Sequence, residues 1–325
     1  GVRTDRRHPH RGRRLSLTSS PNSEGRVASA ARPSRVAPRL VLAAPWLFVL
    51  LWSTGFVVAR YGTRDAGPLT FLSIRLAIAA VVLAVIAAAT GMERLTRRQM
   101  VVAATSGLGM HGVYLGGLFL ASSWGMPSGI GSLIASLHPV LTAIASRGVL
   151  GERLRRIQWL GVWLGLAGVA AVVVDRLLAK STGLSFGGLL ASGISVLAMS
   201  AGTLVQRKHG HATPLLWGTA TQYLVSAAGL GIVATVHDGE GFTSTPRFWF
   251  ALASAVVVLS IMAVLIMMWL LQREAAAKVS SLFFLTPALS TVEGAILFGE
   301  RLGPLAVLGL AVALAGVALT LRPAR

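Results

Sequence analysis

From Leu40 to Leu321 the chain alternates long uncharged apolar runs with short clusters of arginine. Runs of about 20 apolar residues have the length that crosses a ~30 Å hydrocarbon layer as a helix. Breaks at glycine, proline and charge divide the chain into ten spans, near 40–59, 69–90, 99–121, 127–147, 157–174, 184–206, 213–236, 248–271, 279–299 and 303–321. The stretch Gln99–Ser146 is uncharged for two span lengths, and "SSWGMPSG" at Ser122–Gly129 supplies its turn. The pattern predicts an all-α polytopic membrane protein.

Composition agrees. Of 325 residues, 54% are hydrophobic and only 13% charged, too few charges to cover a soluble surface. The absence of cysteine excludes disulfides, thiolate nucleophiles and cysteine-ligated zinc. A net charge of +19 would suggest nucleic acid in a soluble chain, but its placement points elsewhere. Residues 1–39 hold ten arginines with serine and proline and no apolar periodicity, and read as a disordered basic tail. The same composition also fits a transit peptide. Counting alternate loops puts 23 Lys and Arg on one side and six on the other, with Arg75 inside a span. The basic side faces the cytoplasm, so both termini are expected there, in a multi-pass protein of the cytoplasmic membrane. The basic excess serves topology and contact with the lipid bilayer, not nucleic acid.

The chain also repeats itself. At an offset of 148, the segment Ser132–Ala171 matches its counterpart at 15 of 40 positions, among them Pro139/Pro287 and the tetrapeptide Gly-Glu-Arg-Leu at 151–154 and 299–302. An offset of 147 pairs Ser53 with Ser200, Gly55 with Gly202 and Arg60 with Arg207. Two five-span halves follow, 40–176 and 177–325. Because five is odd, the second half must enter the membrane from the opposite side, an inverted repeat of the kind found in secondary transporters.

"LWSTGFVVARYG" in span 1, "FLSIRLAIAAVVLA" in span 2 and the twice-written "P…LGERL…Q…G…LAGV" pattern resemble the drug/metabolite transporter superfamily in its ten-helix, EamA-type form. The resemblance covers residues 40–321. It implies an exporter or exchanger of small metabolites, such as amino acids or related amphipathic solutes, in the cytoplasmic membrane. Span 1 departs from the family in carrying Trp-Ser-Thr-Gly where an Asn often follows Trp-Gly-Ser, and the second Gly-Glu-Arg-Leu runs on into Gly-Pro.

Ionisable residues inside spans are costly and so mark candidate sites. Arg75 lies seven residues past Pro68, and Glu293 six residues before Gly299, depths of ~10 and ~9 Å below the same face. The shared depth suggests an ion pair acting as a gate or proton-exchanging carboxylate, against a structural pair or an arginine snorkelling outward. His111 and His138 lie near mid-membrane, able to relay protons or contact an anionic substrate; the plainer reading is a neutral ring bonded to a carbonyl. Trp52, Tyr114 and Gln222 are candidates for a pocket wall, although each also suits ordinary helix packing. Pro139 and Pro287 are candidate hinges. The glycines Gly161, Gly165 and Gly168, and Gly112 with Gly116, suit close helix packing. Glu152 and Glu300 read as helix-start residues after a glycine stop.

No paired carboxylates, metal-ligand spacing or phosphate loop occurs, so the pattern implies neither enzyme, metal nor cofactor. Transport would then draw on a gradient, with a proton as one coupling ion. A passive channel and, more remotely, a membrane-embedded enzyme are the rivals, and a homodimer is left open.

Overall fold

A computed structural model describes residues 38–55, 58, 62–124, 134–178, 186–239, 241–286, 289, 292–293, 296 and 303–321. Residues 1–37 of the basic tail, Pro287 and the second Gly-Glu-Arg-Leu lie outside them. The described chain is helical: α1 (Pro38–Ser53), α2 (Pro68–Ala89), α3 (Arg97–Gly107), α4 (Tyr114–Ser123), α5 (His138–Val149) and α6 (Arg156–Leu178) come first. They are followed by α7 (Phe186–His209), α8 (Leu215–His237), α9 (Pro246–Ser254), α10 (Val264–Arg273), α11 (Ala276–Ser281) and α12 (Pro304–Thr320). Among the described residues, four helices are long and apolar enough to cross a membrane: α2, α7, α8 and the continuous run Pro246–Arg273.

Helix starts follow local chemistry. Pro68, Pro246 and Pro304 stand in the first turns of α2, α9 and α12, where a missing N–H costs nothing. Thr96 and Gln99 form a reciprocal capping box at α3. Asp238, just past α8, accepts the Thr70 amide at 2.6 Å, and so places a carboxylate on the positive end of α2.

Repeat-related helices pack on each other in antiparallel pairs. The start of α2 meets the end of α8 through Asp238, and Trp217 near the start of α8 donates to the Met92 carbonyl beyond the end of α2, at 3.2 Å. The same holds for α6 and α12. A Cβ built on Gly161 would sit 2.5 Å from the Gly316 carbonyl oxygen, and one on Gly168 2.6 Å from that of Gly309. These contacts exchange under the repeat, since 161 corresponds to 309 and 168 to 316. Gly112 and Gly116 likewise face Ser226 and Leu230 of α8.

Two π-helical segments occupy equivalent places. Leu108–Val113 separates α3 from α4, and Ala255–Ala263 separates α9 from α10. In the first, the Tyr114 amide reaches back to Gly109, passing over Met110. In the second, the Val264 amide bonds Leu259 and Ile261, passing over Ser260, whose carbonyl is thereby released from the ladder.

The structure modifies two expectations. Pro139 was expected inside a continuous span, but α5 begins at His138 after a turn at Ser136–Leu137, so the proline stands in a first turn. The conformational restriction a proline imposes on its predecessor favours such a break. The equivalent stretch before Pro287 is a 3-10 turn, Leu282–Phe284. Gly151 does end α5 with φ +70°, the Glu152 amide turning back to Ser146. The Glu152 carboxylate, however, serves the start of α11 and not of its own following helix: Oε1 accepts from the Ala276 amide and from Arg207 Nε, both at 3.3 Å.

The glycine crossing has no room for a side chain. We expect Gly161→Val to force α6 from α12 and lower stability by about 1–3 kcal/mol or more, as overpacking does. A thermal melt of the purified protein checks this, with Gly148→Ala, which meets no atom within 4 Å, as the near-neutral control.

Candidate functional site

A buried polar seam runs between α2, α7, α8 and the two π segments. Arg75, on α2, is 7% exposed, and its Nε donates to Ser260 Oγ at 2.8 Å. The released Ser260 carbonyl accepts the Tyr223 hydroxyl. The Tyr223 ring meets His111 edge to face, centroids 4.9 Å apart. His111 Nε2 donates to Gln222 Oε1 at 3.2 Å, while Gln222 Nε2 donates to Gln206 Oε1 at 2.9 Å and to Ser106 Oγ at 3.3 Å. Ser106 Oγ completes the end of the seam by donating to Gln206 Oε1 at 3.1 Å. Such a chain of partners lets polar groups sit in an apolar bundle without paying for unmade hydrogen bonds.

At one end the seam meets a narrow crevice, too tight to hold a water molecule, between the end of α7, the start of α8 and α10, lined by Thr213, Gly218, Thr219 and Met268 together with Gln206 and Gln222 of the seam.

His138 and Trp52 fall in a second group, between α1, α5, α7 and the 3-10 turn. His138 Nδ1 lies 3.0 Å from Ser200 Oγ and 3.2 Å from Thr142 Oγ1, and its Nε2 is buried with no hydrogen-bond partner. Its ring stands edge-on to Phe283 at 5.2 Å, and Phe283 also meets Trp52 and Phe48, each at 5.4 Å. Ser53, next to Trp52, donates to Glu293 Oε1, while Glu293 Oε2 is buried without a hydrogen bond. Each titratable group thus contacts a serine from the other half, and Ser53 and Ser200 are themselves repeat mates.

The expected ion pair between Arg75 and Glu293 does not form. Arg75 turns to Ser260, and Glu293 turns to Ser53. Depth along a helix follows from counting residues, but the side a residue faces depends on packing. Tyr114 lies in the apolar core at the end of the first π segment and is tied to neither group by a hydrogen bond or ring contact among the described residues. Sequence reasoning passed over Ser260, Tyr223, Gln206, Ser106 and Phe283. Only the buried amide of Gln206, immediately before the charged end of α7, carried a usable signal.

The two ends of the bundle are tied across the halves. At one end, Arg247 Nε donates to Asp65 Oδ2 at 2.8 Å, Nη2 reaches Oδ1, and the Thr245 hydroxyl donates to Oδ2 at 3.0 Å. At the other, Arg207 holds Glu152 and donates to the Leu271 and Gln272 carbonyls at 3.2 and 3.4 Å. No group of three His, Cys, Asp or Glu side chains among the described residues could hold a metal.

A helical bundle with long apolar helices, repeat-related packing and a polar seam in its interior is the build of a membrane transport protein. The comparisons place it more closely: the EamA-like transporter family matches residues 41–174 and 186–322, and the chain belongs to that family. It is 26% identical over 274 residues to the inner membrane transporter YedA of Escherichia coli (strain K12), covering 83% of this chain and 87% of YedA. It is 27% identical over 289 residues to a probable terminal-alkyne amino-acid exporter of Streptantibioticus cattleyicolor, covering 84% of this chain and 90% of the exporter. A probable amino-acid metabolite efflux pump of Escherichia coli (strain K12) is 23% identical, with 83% and 91% covered. A solved crystal structure shares the fold, with TM-score 0.73 at 21% identity over 86% of this chain and 95% of that one.

Two outcomes test this geometry. Gln222→Leu removes the shared partner of His111, Ser106 and Gln206, so stability should fall by about 1–3 kcal/mol in a thermal melt, the cost of unpaired buried polar groups. At the Asp65 tie, the hydrogen bond from Arg247 holds the Asp65 carboxyl below the ordinary aspartate range, helped by Thr245. A depressed carboxylate stabilises above its unfolded pKa and loses that contribution as pH falls through the folded one. The advantage of wild type over Arg247→Gln in melting temperature should therefore be present at neutral pH and vanish on acidification.

Proposed function

We propose that the chain is a secondary transporter, an exporter or exchanger, that moves a small metabolite by alternating access. Its ten spans form two five-helix halves, 40–176 and 177–325, of opposite orientation, with both termini in the cytoplasm. The observation that carries this reading is the antiparallel pairing of repeat mates, α2 with α8 and α6 with α12, around a polar seam with a π segment from each half. Equivalent helices that run in opposite directions allow one packing to be exchanged for its two-fold-related counterpart, so a site between them can face either side. The charge asymmetry of the loops supports the orientation, in which the Gln206 and Gln222 end of the seam lies towards the cytoplasm.

Relatives named as exporters of amino acids or their metabolites favour an amino acid or related amphipathic solute as cargo. Glu293 is the residue for proton coupling: a carboxylate with one oxygen held by Ser53 and the other without a hydrogen bond can take up and release a proton as its neighbours move. Its serine partner lies in the other half, so the proton is tied to the relation between halves. Family membership makes the chain a transporter and not an enzyme.

The test is radiolabelled counterflow in proteoliposomes, run over a panel of amino acids and their metabolites. Saturable counterflow for one of them is the expected result, and flux that never saturates would indicate a passive channel. Glu293→Gln should abolish flux driven by a pH gradient and preserve solute exchange. An unchanged pH dependence would reject the coupling role.

A further inference from the structure

Arg75 presents a buried cation that no carboxylate among the described residues neutralises. Its only hydrogen bond there is the one from Nε to Ser260 Oγ, so four of the five guanidinium N–H donors have no acceptor among the described residues. Snorkelling does not explain the site, since the side chain is 7% exposed and lies on the seam beside Tyr223 and His111. An unpaired charge inside hydrocarbon is expensive, and persists where a counter-ion arrives as a ligand.

The repeat sharpens the contrast. Arg75 and Gln222 are equivalent at an offset of 147, each seven residues past the first residue of α2 or α8. Each bonds the π segment that packs on its helix, Ser260 in one case and His111 in the other. On the Gln222 side the amide is saturated by Gln206, Ser106 and His111. On the Arg75 side the fork of Nη1 and Nη2 is left for something else. Seen along the membrane normal, both residues lie within the middle part of the seam, since each is ~10 Å from opposite ends of helices of about 33 Å.

Resting on the transport reading above, we propose that the Arg75 guanidinium is the binding point for a carboxylate of the transported solute. A planar fork with two parallel donors matches the two oxygens of a carboxylate, and in a desolvated site such a bidentate pair is far stronger than in water. Ser260 fixes Nε and so aims the fork, while the Tyr223 hydroxyl, by holding the Ser260 carbonyl, fixes the π turn that carries it. Tyr223 and Ser260 are positioning residues. The cargo would then be a carboxylic acid or an amino acid, and a solute whose carboxyl is masked as an amide would not be held.

The experiment measures ligand-induced thermal stabilisation of the purified full-length chain in detergent, where no gradient or transport cycle is needed. Its outcome is therefore separate from that of the counterflow assay. The probes are sodium isocaproate, L-leucine, isocaproamide and leucinamide, with sodium chloride and sodium phosphate at matched ionic strength. Stabilisation by the carboxylate probes over their amides is expected, weakened about ten-fold in Arg75→Lys, which keeps the charge and loses the fork. It should be absent in Arg75→Gln; elution of each variant as a single species in size exclusion establishes that it is folded, and Arg75→Lys carries the test if Arg75→Gln is not. Three results would overturn the proposal: no carboxylate-specific stabilisation in wild type, equal effects of acid and amide, or full retention in the Arg75 variants. A response to chloride or phosphate equal to that of isocaproate would assign the site to inorganic anions and reject the solute carboxylate.

Discussion

Inside hydrocarbon there is no water to complete a hydrogen bond, so a polar group must find its partner in the protein or in a bound ligand. The bundle is arranged around that constraint. Antiparallel repeat mates bring Arg75 and Gln222 onto one seam, and the two π segments supply the irregular backbone with which those residues can pair. The clearest instance is Ser260. Because the Val264 amide passes over it, its carbonyl is free for Tyr223, while its hydroxyl accepts from Arg75. A regular helix at this point would engage that carbonyl in the backbone ladder.

Close packing supplies the rest of the stability. With lipid as apolar as leucine, helices associate through shape, and glycine lets backbones approach. The α6–α12 crossing uses Gly161, Gly168 and Gly316 in this way, against bare backbone on the facing helix. The seam and this crossing therefore divide the work. One satisfies polar groups at the centre, and the other holds the two halves together at a second antiparallel pair.

The all-helical, apolar character and the repeat were readable from the chain, since both follow from residue type and order, and the glycine faces were identifiable by helical spacing. The candidate site was readable only in part. Arg75, His111, His138 and Glu293 stand out because an ionisable residue is conspicuous in an apolar run. Ser260 and Tyr223 do not, because serine and tyrosine are common in such runs and their role depends on which way the helix is turned. The π segments that set this turn pack against α2 and α8, and no residue in "AVVVLSIMA" announces one. Equal depth suggested that Arg75 and Glu293 would pair, but depth carries no azimuth, and they face different helices.

The central claim is that one seam serves both sides of the membrane in turn. Since the chain has no cysteine, a single Ser260→Cys variant offers a direct reading. In sealed vesicles, a membrane-impermeant thiol reagent is applied from the inside only or from the outside only. Alternating access requires that Cys at this position reacts from either side while the vesicles stay sealed to the reagent. Reaction from one side alone, or labelling that comes with leakage of the reagent across the membrane, would contradict it.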